Sequence, residues 1–534
     1  MACRGGHSIV LMLAGVLSVS ALANSQLCEP QWSALAGGGP NGPVSAMTVW
    51  DPDGDGPARP LLVVGGTFTM AGGVPARNIA TWDGESFAPL GHGLKGFWQC
   101  RVLVYALQSF DDDGSGPMPP SLYATGEFCF SQPSGDCLLR YVARWDGGEW
   151  SVVMGDGGTV PGIAGPGPPV DLAVWDEDGD GPLAATLHMG GGYRDVSPPI
   201  APEVGGVTRW DGARFTSFYP DDELTHYLTI LRVVDVGFGR QLFGGANPLY
   251  GAGTGSIVVL ENDAPRILVD CCAPVTSLAR VTVGGRTDLA LAGPFRVTDE
   301  DGNGRGVQVA RLPVDHAWEG FEELLLDGGL NGLVFVLANA DDDARGPRPE
   351  SLFAGGVFTS GFHTAQQPPW LRLGEPASRV ARWDGGAWRA VGEGVAAPPQ
   401  DFDDCDTQTC CAFEPAHLVN FYSTYGAVVA AMAVYDDGSG PRLYVGGLFE
   451  SAGGQGARNI ARWGVKSISG DADGSGIVDF ADVLSALANH GASYAPIIEG
   501  GPGTGPGDAN LDGLADMQDE FSVMANWGRR CDHP

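Results

Sequence analysis

The sequence predicts a mainly β fold: a seven-bladed β-propeller closed by an N-terminal strand, followed by a small α-helical domain. Three observations predict it. The first is one phrase that recurs along the chain, a Gly-Gly-Phe step and then an Ala-Arg-Trp-Asp-Gly step. It reads GGTFTMAGGVPARNIATWDG at 65–84, VARWDGGEW at 142–150, VTRWDGARF at 207–215, AGGVFTS and VARWDGGAW within 354–388, and VGGLFESAGGQGARNIARWG at 445–464. Repetition at this scale means one supersecondary unit used many times. The second is period-two alternation within each unit, interrupted by Gly-rich turns, which is strand chemistry. The third is that the two ends of the repeat region complement each other.

Each unit reads as four short strands. An alternating strand such as VSAMTVWD (44–51) or VVAAMAVYD (428–436) comes first, then a turn rich in Asp and Gly. LLVVGGTF or LYVGGLF follows, then NIATWDG or NIARWG, then SFAPLG or EWSVVMG. The Trp of the third strand counts the units: Trp82, Trp145, Trp210, Trp383 and Trp463, with Leu260 and Leu312 in two weaker copies. The Gly-Gly strands give the same seven. Four-stranded antiparallel units at this pitch resemble propeller blades. A β-helix or open solenoid is the alternative, but its rungs are shorter and more regular. The segment PQWSALAGG near the N-terminus is a final strand without its first three, and the unit ending at Gly464 lacks that strand. A strand around Trp32 would complete the unit of Trp463 and leave no exposed edge. The Trp itself reads as a packing residue and the Asp-Gly after it as a tight turn.

Arg4, an apolar run from Ile9 to Leu22, and the small residues around Ala23 read as a signal peptide cut after Ala23. The division is then 1–23 signal peptide, 24–465 propeller and 466–534 a separate tail, with the mature protein exported and no membrane span. Of eleven cysteines, ten survive that cleavage, and an even number in an exported chain favours disulfides. Cys129 and Cys137, bracketing a short loop, are the most local pair. The cysteines at 271–272 and 405–411 read as staples of long insertions, with a zinc site as the competing reading for 405–411.

The chain carries 30 Lys plus Arg against 64 Asp plus Glu, a formal charge of −34. Such a surface repels nucleic acid and anionic membranes. The acids cluster. DPDGDGP (51–57) and DEDGDGP (176–182) place Asp51, Asp53 and Asp55, and Asp176, Asp178 and Asp180, at alternate positions; DDDGSGP, DDDARGP and DDGSGP are weaker copies, and DEDGNGRG (299–306) falls on a different hairpin. Alternate carboxylates with Gly between them can curl around a hard cation, while Asp and Gly also simply make good turns. These hairpins resemble the calcium hairpins of integrin-type propellers.

The tail repeats a twelve-residue loop. DADGSGIVDFAD offers Asp471, Asp473, Ser475, Asp479 and Asp482 with the Ile477 carbonyl; DANLDGLADMQD offers Asp508, Asn510, Asp512, Asp516 and Asp519 with the Leu514 carbonyl. Gly476 and Gly513 fill the sharp turn at position six, and apolar runs follow each loop. The tail resembles a type I dockerin, a paired EF-hand-like calcium module, in the ANWG-ending variant of secreted planctomycete-like bacterial proteins. That resemblance implies two calcium ions, two helices, and docking to a cohesin or attachment to a cell surface.

The chain shows no nucleophile elbow, HExxH or phosphate-cradling glycine loop. The reading is an exported calcium-binding scaffold, non-enzymatic or, if an enzyme, polysaccharide-degrading. A propeller glycoside hydrolase or polysaccharide lyase is one alternative, needing two carboxylates across a cleft. A non-catalytic carbohydrate-binding protein is the other, and an extracellular polysaccharide is its expected partner.

Overall fold

The computed structural model describes most of residues 29–465, together with Phe480, Val483, Leu484, Ser522 and Val523; residues 1–28, the rest of 466–534 and several internal stretches, the longest being 398–425, lie outside the described residues. Each of the seven repeated units forms one antiparallel sheet. Sheet I is Val44–Trp50, Leu61–Gly66, Ile79–Trp82 and Phe87–Pro89. Sheet II is Val104–Phe110, Ser121–Ser131, Cys137–Trp145 and Trp150–Val152. Sheet III is Pro169–Trp175, Thr186–Gly191, Gly206–Trp210 and Phe215–Ser217. Sheet IV is His226–Asp235, Arg240–Pro248, Gly255–Glu261 and Ala264–Cys271. Among the described residues sheet V is Ser277–Val283, Arg286–Thr298 and Gly304–Leu312. Sheet VI is Val334–Ala340, Ser351–Gly356, Val380–Trp383 and Trp388–Ala390. Sheet VII takes Val428–Asp436, Pro441–Leu448 and Ile460–Gly464, and its fourth strand is Gln31–Ala34, which sets Trp32 opposite Trp463.

The register follows the repeat. Leu62 faces Trp82, Leu187 faces Trp210, Leu352 faces Trp383 and Leu443 faces Trp463. Each Trp then meets the aromatic that opens the fourth strand: Trp82 with Phe87 at 4.8 Å, Trp210 with Phe215 at 4.4 Å, Trp145 with Trp150 at 5.6 Å and Trp32 with Trp463 at 5.3 Å between ring centres. These rings are buried or nearly so, which explains why the unit keeps an aromatic there. The Asp after the Trp closes the turn. Asp83 Oδ1 accepts the amides of Glu85 and Ser86 at 2.8 and 2.7 Å, and Asp211 and Asp384 do the same in their sheets. The Gly that follows has φ near +100° (Gly84 φ 102, Gly385 φ 95), a backbone that a β-carbon would strain.

First strands of successive sheets lie side by side, and Val428–Asp436 of sheet VII also lies against Val44–Trp50 of sheet I. In six sheets the first strand carries a bulge at one shared position, as between Val44 and Ala46 or Val334 and Val336. Sheets therefore meet through side chains and sparse stitches, with no shared ladder. Ser45 Oγ donates to the Val104 carbonyl at 2.6 Å, and the Leu231 amide donates to Asp171 at 2.9 Å.

Several expectations are corrected here. The single regular β-propeller closed by its N-terminal strand gives way to an arrangement of small unclosed sheets: among the described residues the sheets number twelve, none continues into its neighbour, and sheet V has three strands. The α-helical EF-hand or dockerin-like domain is not formed among the described residues, where no helix element occurs and the tail contributes only isolated helical positions such as Phe480 and Leu484. The disulfide reading of Cys129 and Cys137 fails on register. Cys129 stands opposite Leu139 and Cys137 opposite Ser131, so the two are diagonal, at about 7–8 Å, beyond the ordinary disulfide span. Cys272, Cys405, Cys410 and Cys411 lie outside the described residues. Among the described residues no helix is long and apolar enough to cross a membrane.

Candidate functional site

The acidic hairpins are built as turns. Asp51 Oδ1 accepts the amide of Asp53 at 3.2 Å, and Asp53 Oδ2 accepts that of Ala58 at 2.9 Å. Asp178 Oδ2 accepts the Leu183 amide at 3.1 Å, and Asp113 repeats the pattern with Met118. The fourth residue is a left-handed glycine in each, Gly54, Gly114 and Gly179. Alternate carboxylates thus organise backbone, as Asp does in any Asx-type turn. Burial raises the Asp51 and Asp111 carboxyls above their ordinary range, helped by the neighbouring Asp53 and Asp113 charges against opposing backbone bonds.

The calcium reading is corrected accordingly. Among the described residues no group of three His, Cys, Asp or Glu could hold a metal ion. Asp51, Asp53, Asp176 and Asp178 are described; Asp55, Asp180 and all tail candidates, Asp471, Asp473, Ser475, Ile477, Asp479, Asp482, Asp508, Asn510, Asp512, Leu514, Asp516 and Asp519, lie outside the described residues. The calcium-binding scaffold function inferred from these loops loses its support with them.

One hairpin acid does have a further role. In sheets II, VI and VII the residue after the leading Asp ties other groups together. Asp342 of sheet VI is 3% exposed; it accepts from Arg382 Nη1 of its own sheet at 3.2 Å and from Trp463 Nε1 of sheet VII at 3.1 Å. Asp112 of sheet II pairs with Arg144 at 2.7 Å and with the Tyr123 hydroxyl, which in turn accepts from Trp210 Nε1 of sheet III at 2.9 Å. Asp437 of sheet VII pairs with Arg462 and with Tyr444. In sheets II, VI and VII the Arg of the repeated Ala-Arg-Trp step serves its own sheet's acid, while Trp463 and Trp210 reach the acid or its tyrosine in the sheet before; Trp82 and Trp145 have no indole acceptor among the described residues.

Sheet V breaks this arrangement. Its first hairpin is reduced to Gly284-Gly285, both left-handed, joining Val283 directly opposite Arg286. Its acid is instead Asp288 on the second strand, fully buried between Arg286 and Arg311. Among the described residues sheet V also has no fourth strand, and its first strand has no bulge. Trp383 of sheet VI consequently faces a sheet with no hairpin acid. It is 5% exposed, and its buried indole N–H, like those of Trp82 and Trp145, has no acceptor among the described residues.

A cleft of about 560 Å³ opens at that place. Asp235 and Gly237 of sheet IV, Arg280, Thr282 and Thr287 of sheet V, and Asn339, Glu350, Trp383 and Asp384 of sheet VI line it. Its floor is held across the sheet junction. Arg280 pairs with Glu350, and Asn339 Nδ2 donates to the Arg280 carbonyl at 3.0 Å. The Thr282 and Thr287 hydroxyls sit 3.2 Å apart. Burial pulls the Asp384 carboxyl upward, but the bond from Arg389 and the amides of Ala387 and Gly386 outweigh it and hold it below the usual range. Asp384 is thus an ionised turn acceptor. The cleft sets hydroxyls, an amide, paired charges and one unsatisfied donor among apolar surface from Val281, Leu352 and Trp383, a lining that can take a ligand with both hydroxyls and apolar faces. Exposed aromatic platforms for sugar stacking are absent among the large exposed apolar residues described, save Phe480 in the tail.

No family model matches the chain, and no curated protein matches it. Among solved structures, it is similar to BBS1N from a complex with ARL6DN at 10% identity and a TM-score of 0.39, covering 82% of this chain and 97% of that one. It is also similar to Raptor of Chaetomium thermophilum at 11% identity and a TM-score of 0.37, covering 83% of this chain and 29% of that one. Likenesses this remote carry no argument about this protein.

Proposed function

We propose that this is an exported protein whose seven-sheet body binds an extracellular polysaccharide, with the cleft between sheets V and VI as the binding site. The observation that supports this reading is the unsatisfied indole N–H of Trp383 on a 560 Å³ cleft. Its counterparts Trp210 and Trp463 have acceptors at 2.9 and 3.1 Å from the preceding sheet; Trp82 and Trp145 lack one among the described residues as Trp383 does, and of the three Trp383 lines the cleft. A buried donor without an acceptor costs about 1–3 kcal/mol. A ligand hydroxyl seated where sheet V lacks its acidic hairpin would recover that cost. The many hydroxyls of a sugar chain also suit the Thr282, Thr287 and Asn339 side chains beside it.

Trp383→Phe tests this reading, because it removes the N–H and keeps a ring against Trp388, 5.6 Å away. Isothermal titration across a panel of neutral and acidic polysaccharides should find one that binds the wild type. The variant should bind that polysaccharide about 10-fold more weakly, one hydrogen bond's worth. Absence of binding by the wild type, or equal binding by the variant, would overturn the proposal.

A further inference from the structure

We infer that a second, basic cavity on sheet I binds a small sugar carrying a carboxylate or sulfate group. The cavity holds about 370 Å³ and is lined by Pro75, Arg77, Pro89, Gly91, His92 and Lys95. Arg77, His92 and Lys95 are exposed, and none of the three has an ion pair among the described residues. That is unusual in a chain of formal charge −34, in which Lys95 is one of only two lysines.

The repeat supplies an internal control. Sheet VI builds the same turn with the same bonds. In sheet I, Gly93 N donates to the Leu90 carbonyl and Leu94 N to the Arg77 carbonyl, both at 3.0 Å. In sheet VI, Gly394 N donates to the Val391 carbonyl and Val395 N to the Ser378 carbonyl, both at 3.0 Å. The left-handed glycines correspond, Gly91 and Gly93 (φ 56 and 70) with Gly392 and Gly394 (φ 52 and 68). The buried anchors correspond too, Leu90 and Leu94 with Val391 and Val395. By this register Arg77, His92 and Lys95 stand where sheet VI has Ser378, Glu393 and Ala396. The turn therefore folds without any positive charge, and the three basic side chains serve something other than the backbone.

Three cationic or proton-donating groups around one concavity make an oxyanion site, and Arg adds a planar pair of donors for a carboxylate or sulfate. The surrounding acidic surface repels a long polyanion, while screening over about 8–10 Å leaves a single charged group free to enter. Prolines 75 and 89 wall the cavity with apolar surface, which favours an anion carried on a sugar ring over a bare ion.

The full-length protein would be titrated with glucuronate, glucose 6-sulfate, glucose and inorganic sulfate. Glucuronate or the sulfated sugar should bind, weakening as salt rises, and glucose should not. The triple variant Arg77→Ser, His92→Glu, Lys95→Ala carries the sheet VI residues, so its fold is expected to persist, checked by an unchanged melting temperature. It should lose binding at least 10-fold. Trp383→Phe should leave this binding unchanged, so failure here and failure of the cleft proposal are separate results. Equal binding of glucose, unchanged binding by the triple variant, or inorganic sulfate binding as tightly as either charged sugar would overturn the inference.

Discussion

Asp342→Ala is expected to lower the stability of the protein by about 3 kcal/mol, among the largest losses from any single hairpin substitution. Asp342 is nearly fully buried and accepts from both Arg382 and Trp463. Removing it strands a guanidinium that is 17% exposed and a buried indole N–H on the next sheet. Breaking a buried pair by deleting one partner is costly because the other charge stays where it was. Asp342→Asn keeps an oxygen for the indole and should recover part of the loss. Urea denaturation of both variants measures this; a change under about 0.5 kcal/mol for Asp342→Ala would mean the junction of sheets VI and VII does not depend on it.

His188→Phe should flatten the pH dependence of stability between pH 6.5 and 4. His188 is 1% exposed, bonded through Nδ1 to the Thr186 carbonyl at 3.2 Å and packed on Trp175 at 5.7 Å between ring centres. Burial, with a smaller contribution from the Arg209 charge, pushes its pKa down to about 4 from the ordinary 6.5. The sign follows from the unfolded chain binding the proton first. The neutral histidine's contribution is complete above pH 6.5 and is lost as pH falls toward 4. The span corresponds to a loss on the order of 3 kcal/mol. Phenylalanine fits that register already, as Phe243 in sheet IV and Phe353 in sheet VI, both buried. Chemical denaturation at a series of pH values should show wild type and variant diverging below pH 6.5. Parallel curves would show that His188 does not titrate with unfolding.

The strands were legible because their signals are local. Alternation, the Leu opposite Trp, and the Asp-Gly turn act within a few residues, and the fragment at Trp32 could be matched to Trp463 by its sequence alone. The acidic hairpins misled because one spacing serves two purposes. Asp at alternate positions with Gly between them can ring a cation or collect backbone amides, and Asp53 and Asp178 do the second. Cys129 and Cys137 misled because proximity in sequence does not fix register. The first-strand bulges left no sequence signal, since one extra residue in an apolar run looks like any other. The cleft was hidden for a different reason: its signal is something missing. VTVGGRT has no acidic run where most of its counterparts do, and Leu312 replaces the marker Trp as Leu260 does, yet both read only as a weak repeat. The basic turn needed the hydrogen bonds of Leu94 and Val395 to set sheets I and VI in correspondence.

The cleft stands or falls most directly on a crystal structure of the protein soaked with an oligosaccharide of whichever polysaccharide it binds. The account predicts sugar density between sheets V and VI, with a ligand oxygen within about 3.2 Å of Trp383 Nε1. Sugar bound elsewhere on the body, with that indole N–H still lacking a ligand acceptor, would contradict it.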